Sequence, residues 1–471
     1  AELSYLLRGG ELYPRWAPNF YHGYGYPIFN YYAPLTYYLG FLFDILPRLD
    51  PVAGVKAVFI LGMLFSAFGM YGFMRDNWGR RAGYVAAAVF IYAPYVQYID
   101  PHARGVMPES ISFGVFALAL WALDRLWRSG GRWPWLASVF LVAGVFLSHN
   151  LMGLLFFGLL SAWAVWRVFL TTEKENRQRT AVHLGGALLL GLGLAAIFWL
   201  PVFLERDLVN LNTLIGEQDK YDFHTHFLAI GEMLAPSLRL DWGASEPAFR
   251  FNLGLAQWLL GGLGIILLLL RKVRQPRHLS FFALALAGLL FLMLPISTFL
   301  WEMLPFLPFF QFPWRLLGAA SAMLAVLGGA GAGALITMVE ERVEEAKSPW
   351  RSVESWLAAG WVALPMLLGL PLSQPSPWPN FNEVSHLRMS LIENTGRWLG
   401  TTSTADYVPA TVESLQQRKG SVVANFGLGL PPDRINHAML PEGAVVDTDT
   451  IRPLFTRYTI NSPRDTRFRL F

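Results

Sequence analysis

Long apolar runs separated by short polar connectors make up most of the chain. Predominantly apolar windows lie near 55–75, 82–99, 109–127, 134–149, 150–170, 181–203, 253–270, 279–300, 315–338 and 355–372. A helix needs roughly 20 such residues to cross a hydrocarbon core, so the pattern predicts roughly ten transmembrane helices. Only Ser148, His149 and Asn150 separate two of the windows, which predicts a tight turn. The stretch LTYYLGFLFDIL (35–46) is apolar but too short to span, and it fits a helix lying in the membrane interface. Beyond residue 373 the sequence leaves the apolar pattern through PLSQPSPWPNFNEVSH, then turns mixed and β-prone in GSVVANFGLGL and RYTINSPRDTRFRLF. The expected fold is an all-α polytopic membrane protein with a small α/β or β-rich C-terminal segment. Its expected divisions are a first loop with juxtamembrane helices (1–54), a transmembrane domain (55–372) carrying a long loop (204–252), and the C-terminal segment (373–471).

Composition supports the membrane reading. Charged residues make up only 15% of the chain and mean hydropathy is +0.38, against about 25% charge in a soluble domain. A formal charge of +4 is small for 471 residues and gives no reason to expect a nucleic-acid partner. The absence of cysteine excludes disulfides, thiolate metal sites and Cys nucleophiles. Alternate connectors are basic: RDNWGRR (75–81), DRLWRSGGR (124–132), RVFLTTEKENRQR (167–179) and RKVRQPRH (271–278). Basic connectors mark the cytoplasmic side. The opposite, outer face then receives residues 1–54, 98–109, 204–252, 301–315 and the C-terminal segment, where Gly-Pro-aromatic clusters and isolated charges collect. No P-loop, dinucleotide-binding glycine pattern, HExxH or GxSxG in a fitting context is present. The chain starts at Ala1 without Met and stops in RDTRFRLF, which reads as a piece of a longer protein.

Four constellations can carry chemistry. In YHGYGYPIFNYYAPLTYYLG (21–40), eight of twenty residues are aromatic and none carries a fixed charge. Pro14, Pro18, Pro27 and Pro34 remove backbone donors and Gly23 and Gly25 admit unusual φ values, so no helix is expected before Pro34. Tyr24, Tyr26, Tyr31 and Tyr32 then form a wall suited to a sugar ring or a prenyl chain, or alternatively an interfacial aromatic belt. Glu11 is the one carboxylate of this aromatic region. The second constellation, DPHARGVMPES (100–110), offers Asp100, Arg104 and Glu109 close to a membrane boundary. A guanidinium makes forked, charge-assisted contacts with phosphate. Snorkelling of Arg104 and helix-dipole complementarity at Glu109 are the plain alternatives. Third are polar residues at span ends: His149 with Asn150, Glu205 after FWLP, and Arg315 in QFPWRLL. Fourth, His224 and His226 in FHTHF would share a strand face able to bind zinc, but no third ligand is set by spacing, so a solvated loop is the simpler reading. No cofactor is fixed by any motif, and a divalent metal is left open.

GELYPRWAPNFYHGYGYPIFNYYAPLTYYL, RGVMPESI, FWLPVFLE, FQFPWRLL and TTSTADYVP, in this order, resemble a bacterial integral-membrane family labelled as related to 6-pyruvoyl-tetrahydropterin synthase. Its members look like GT-C glycosyltransferases, the superfamily of protein O-mannosyltransferases and aminoarabinose transferases. Nothing in the sequence supports a pterin enzyme, whose reaction needs a soluble zinc site. The resemblance implies a multi-pass protein of the bacterial cytoplasmic membrane with an extracytoplasmic active face. It would move a sugar from a polyprenyl-phosphate donor to an acceptor that the sequence does not identify. It also implies a transmembrane helix before residue 1, with the family's acidic motif just after it. Within this chain the expected acidic participants are Glu109, Asp100 and Glu11. Arg104 and Arg315 are the expected phosphate ligands, with the four tyrosines and His149 lining the substrate. The alternatives are a transporter or flippase of lipid-linked sugars, which needs polar residues midway through several spans, and a non-catalytic accessory subunit of a membrane complex.

Overall fold

The computed structural model describes residues 1–21, 23–46, 50–211, 221–235, 251–345, 353–373, 386–394, 406–412, 428, 435 and 437–468. The chain is an all-α polytopic membrane protein with one small β-sheet near its C-terminus. It divides into two compact units. Ala1–Gly54, Phe198–Leu214 and Pro379–Phe471 form the first, and Val55–Ile197 with Ile215–Trp378 form the second.

Among the described residues, six helices are long and apolar enough to cross a membrane: Pro51–Trp78, Arg80–Arg104, Met107–Ser129, Asn150–Thr171, Pro313–Val343 and Ser355–Ser373. Two bent pairs raise the number to eight if each counts as one span. Lys174–Leu194 joins Ala196–Leu204 at 62°, and Pro276–Leu292 joins Pro295–Met303 at 88°. At the sharper bend Leu294 is extended, the conformation imposed on a residue preceding proline. The other two expected windows are the shorter apolar helices Arg132–Ser148 and Leu255–Leu269. At 1.5 Å per residue they reach only about 25 and 22 Å, short of the roughly 30 Å hydrocarbon core. Length and composition therefore give six to eight crossings, where the hydropathy pattern suggested ten.

The Leu317–Glu345 helix is the buried centre of the second unit, with Leu317 through Leu327 almost fully enclosed. Small residues let its neighbours come close, as membrane helices without a hydrophobic drive between them require. A Cβ on Gly331 would lie 2.6 Å from the Gly264 Cα, and one on Gly264 would lie 2.0 Å from the Leu327 carbonyl oxygen. On the other flank, a Cβ on Gly329 would meet Ala86 Cβ at 2.6 Å. The Met107–Ser129 helix carries buried charge at its C-terminal end. Asp124 accepts from Asn77 Nδ2 at 2.9 Å, Arg128 Nε at 2.6 Å and Arg167 at 3.3 Å. The Arg167 guanidinium lies 3.4 Å over the Trp127 ring.

In the first unit, the glycines and prolines fold the aromatic stretch into a compact core. Ala17 and Tyr26 exchange backbone hydrogen bonds at 2.7 and 2.9 Å. Gly25, at φ +93°, lies beneath the Trp16 indole so closely that a Cβ would sit 2.0 Å from Nε1. Phe20, Tyr21, Tyr26 and Ile28 pack with Ala17. One helical turn, Ile28–Tyr31, forms before Pro34, where an irregular backbone was expected; Pro27 precedes it as its N-cap. The Leu35–Asp44 helix follows Pro34 as anticipated. The sheet is an antiparallel hairpin, Val445–Arg452 with Phe455–Asn461, interrupted by a register shift between Thr448 and Thr450. RYTIN falls in its second strand. Residues 374–385 of the Pro/Ser-rich exit, the first five residues of TTSTADYVP, and GSVVANFGLGL except Leu428 lie outside the described residues.

The close approach at Gly264 makes a clean stability test. Gly264→Ala must separate two helix backbones and is expected to cost about 1–3 kcal/mol. Gly262→Ala meets nothing within 4 Å and should leave the melting temperature unchanged. Thermal unfolding of both variants in detergent measures the contrast.

Candidate functional site

The Arg80–Ile91 helix is followed by Pro94 and a π-helical segment, Tyr95–Arg104, that contains Pro101. Its i→i+5 pairing brings residues five apart into line, and such segments recur at functional sites. Tyr95 and Asp100 therefore share a face with Arg104, one turn further on. Gly105, left-handed at φ 65°, ends the segment. The Met107–Ser129 helix then begins with Pro108 in its first turn and Glu109 beside it. A carboxylate there is favoured by the helix dipole.

One guanidinium nitrogen ties the set together. Arg104 Nη1 donates to Glu109 Oε2 at 2.8 Å, to Asp100 Oδ1 at 3.1 Å and to the Tyr95 hydroxyl at 2.7 Å. The Tyr95 hydroxyl donates in turn to Glu109 Oε1 at 2.7 Å, and Ser110 Oγ donates to Asp100 Oδ2 at 2.7 Å. Arg315 Nε lies 3.7 Å from Glu109 Oε2, and its Nη1 donates to the Phe310 carbonyl at 3.1 Å. Both carboxylates are fully buried, whereas the Arg104 and Arg315 side chains keep 14% and 12% of their exposure. Buried charges persist only when paired, and two acids against two guanidiniums leave the cluster neutral overall. Among the described residues, none of Arg104's hydrogen bonds uses Nε or Nη2, so one edge of its fork has no hydrogen-bond partner. Trp314 lies 4.9 Å beneath that guanidinium and is stacked between Phe251 and Phe312, at 4.5 and 4.7 Å.

The structure thus brings Asp100, Arg104, Glu109 and Arg315 together. His149 is within electrostatic reach of Glu109, Arg104 and Arg315. Its Nδ1 accepts from Met152 N at 3.2 Å, capping the Asn150–Trp166 helix at the expected tight turn. The remaining candidates belong to the first unit. Tyr26 and Tyr31 are core residues there, 1% and 3% exposed, whereas Tyr24 and Tyr32 are half-buried. Tyr31 stacks on Tyr407 at 5.2 Å and donates to the Glu205 carbonyl at 2.8 Å. Glu205 also accepts from Arg15 at 3.2 Å and Asn30 Nδ2 at 2.8 Å, fastening the aromatic stretch. Glu11 is partly exposed and makes no side-chain hydrogen bond or ion pair among the described residues.

The histidine pair lies in a turn, not on the strand face that the zinc alternative required. Phe223–Thr225 forms a 3-10 turn capped by Asp222, so His224 and His226 do not share a strand face. His224 contacts two carboxylates, and the His226 ring meets Phe312. Among the described residues, no group of three or more His, Asp or Glu side chains is placed to hold a metal ion. Sequence reasoning missed Tyr95, Ser110 and Trp314. The signal for Tyr95 was its five-residue spacing to Asp100, visible only at a π-helical period.

Comparison with solved structures finds distant likeness. An oligosaccharyltransferase, AglB from Archaeoglobus fulgidus in complex with an inhibitory peptide and a dolichol-phosphate, is 14% identical. The match has a TM-score of 0.46 and covers 85% of this chain and 55% of that one. The same organism's oligosaccharyltransferase in complex with Zn and sulfate is 16% identical at TM-score 0.47, with coverage of 83% and 51%. ArnT from Cupriavidus metallidurans bound to undecaprenyl phosphate is 13% identical at TM-score 0.35, with coverage of 72% and 61%. The chain therefore spans a little over half the length of these proteins. A search of curated protein sequences finds no match. A family model described as "6-pyruvoyl-tetrahydropterin synthase related domain; membrane protein" matches residues 29–372, and the chain belongs to that family.

Proposed function

We propose that this protein is an integral-membrane glycosyltransferase that moves a sugar from a polyprenyl-phosphate donor to an acceptor hydroxyl at the outer face of the bacterial cytoplasmic membrane. One observation carries the reading: two buried carboxylates are held by Arg104 while one edge of its guanidinium keeps no hydrogen-bond partner. That edge matches the fork geometry of a phosphate. The motif resemblance to GT-C glycosyltransferases supplies the reaction class.

In the proposed reaction, the acceptor oxygen forms a bond to the anomeric carbon as the bond from that carbon to the phosphate oxygen breaks. The acceptor proton passes to a carboxylate, and the polyprenyl phosphate leaves with the bonding electron pair. Glu109 or Asp100 takes the proton. Arg104 and Arg315 stabilise charge on the departing phosphate, the fixed-donor arrangement that lowers such barriers. Before the donor arrives the acids and guanidiniums neutralise each other, which keeps the buried cluster stable. The donor phosphate then takes the edge of Arg104 that the carboxylates leave open, while Nη1 stays on Asp100 and Glu109. Within the first unit, Tyr24 and Tyr32 are half-buried and keep some surface, whereas Tyr26 and Tyr31 are core residues. Among the described residues no group of three or more His, Asp or Glu side chains is placed to hold a metal ion, and no step here is routed through one.

Two measurements test this in the full-length protein. Glu109→Gln is expected to lower sugar transfer from a radiolabelled polyprenyl-phosphate sugar by about 10²-fold or more. Arg104→Lys keeps the charge but loses the planar fork, and should raise KM for the lipid donor. Wild-type rates in both variants, with unchanged melting temperatures, would end the assignment. Separately, polyprenyl phosphate alone is expected to raise the melting temperature of the wild type and to do so less in Arg104→Lys. Uncharged polyprenol should have no effect, and an equal shift with it would remove the phosphate from the account.

A further inference from the structure

We infer that residues 221–228 form a strap along the wall of the Arg104–Glu109 site, and that His224 is its proton-dependent fastener. The strap lies against the bent end of the Pro276–Met303 pair. Phe223 stacks on Trp301 at 5.3 Å and Phe227 meets the same ring edge-on at 5.9 Å. The Leu228 N–H donates to the Met293 carbonyl at 2.9 Å. Its other side continues towards the site. Tyr221 and His226 lie 5.9 and 4.7 Å from the Phe312 ring, Phe312 stacks on Trp314, and Trp314 lies under Arg104. The strap therefore buttresses the aromatic pair that carries the guanidinium.

His224 is clamped from both sides. Its Nδ1 is 2.6 Å from Asp222 Oδ1 on the strap, and its Nε2 is 3.3 Å from Glu302 Oε1 on the helix beneath. A neutral imidazole has one N–H, so one of these contacts would set a ring lone pair against a carboxylate. Only the imidazolium donates to both. The titratable and charged groups around it are Asp222 and His226 on the strap and Glu302 below, with Arg315 beyond Phe312 at 5.1 Å. The hydrogen bond that the ring donates to Asp222, aided by Glu302, holds the imidazole above its ordinary value despite partial desolvation. The sign follows from that direction. The Glu302 link is complete at and below about pH 6.5, the value of a free histidine, and is lost as pH rises through the raised folded-state value. His224 is half exposed, so solvent screens the pair and the effect is modest. His224 is a positioning residue, acting on Arg104 only through Phe312 and Trp314, and this role stands whatever chemistry the site performs.

Hydrogen-exchange protection factors, which divide out the intrinsic pH dependence of exchange, test the inference in the purified full-length protein. The Leu228 amide, whose bond to Met293 joins the strap to its support, is the reporter. In the wild type its protection is expected to fall roughly two- to fivefold between about pH 6 and pH 9. His224→Gln should show the lower protection at both values. His224→Arg, charged throughout, should show the higher protection at both. A pH-independent wild type, or a His224→Gln variant that keeps the wild-type dependence, would overturn the inference.

Discussion

Removing two carboxylates from water at the end of a membrane helix is the constraint on which this structure turns. Asp100 and Glu109 are fully buried, and a buried pair broken by loss of one partner costs about 3–5 kcal/mol. Arg104 meets both with a single nitrogen, while Tyr95 and Ser110 occupy the far carboxylate oxygens. The arrangement requires three chain features at once. The π-helical segment aligns Tyr95 with Asp100, Gly105 turns the backbone, and Pro108 starts a new helix whose first turn holds Glu109. The same contacts that satisfy the charges therefore fix the geometry of the candidate site.

The Met107–Ser129 helix has the same problem at its other end, where Asp124 is met by Arg128, Arg167 and Asn77. Fifteen residues separate Glu109 from Asp124 in sequence, about 22 Å along the helix, and the stretch between them holds no charged side chain. This distribution bears on the transporter reading, which needs polar groups partway through the membrane. On this helix the charge is concentrated at the two ends. One-sided chemistry fits that distribution better than passage does.

How much was legible in the sequence depended on the length scale of each signal. Apolar windows of membrane length marked the helices, because burial in lipid demands them. They could not separate full crossings from the short Arg132–Ser148 and Leu255–Leu269 helices or from the bend before Pro295. Asp100, Arg104 and Glu109 stood out because charges are costly next to an apolar run. Tyr95 and Trp314 did not, since an aromatic residue among apolar ones carries no signal until a partner is known. The Asp124–Arg167 pair was missed because its members are 43 positions apart and both look like ordinary residues of basic connectors. His224 and His226 were noticed for their spacing, and the Asp222 cap sets them in a tight turn, so the strand face that the zinc alternative required does not form.

The aromatic stretch shows why residue type alone does not separate a binding wall from a core. Trp16 over Gly25, the Ala17–Tyr26 bridge and the Tyr31–Tyr407 stack are contacts that fold a loop rich in glycine and proline. Tyr26 and Tyr31 are spent on that task. Glu205 reinforces it, meeting Arg15 and Asn30 with separate oxygens while its carbonyl accepts from Tyr31. The loop is held by rings and by three carboxylates, Glu2 on Asn19, Glu393 on the Tyr21 amide and Glu205 on Arg15 and Asn30, and its conformational entropy is lost in folding. Preorganisation of this kind explains the density of rings without requiring each to touch substrate. It leaves the half-buried Tyr24 and Tyr32 as the rings of the original four with surface to offer.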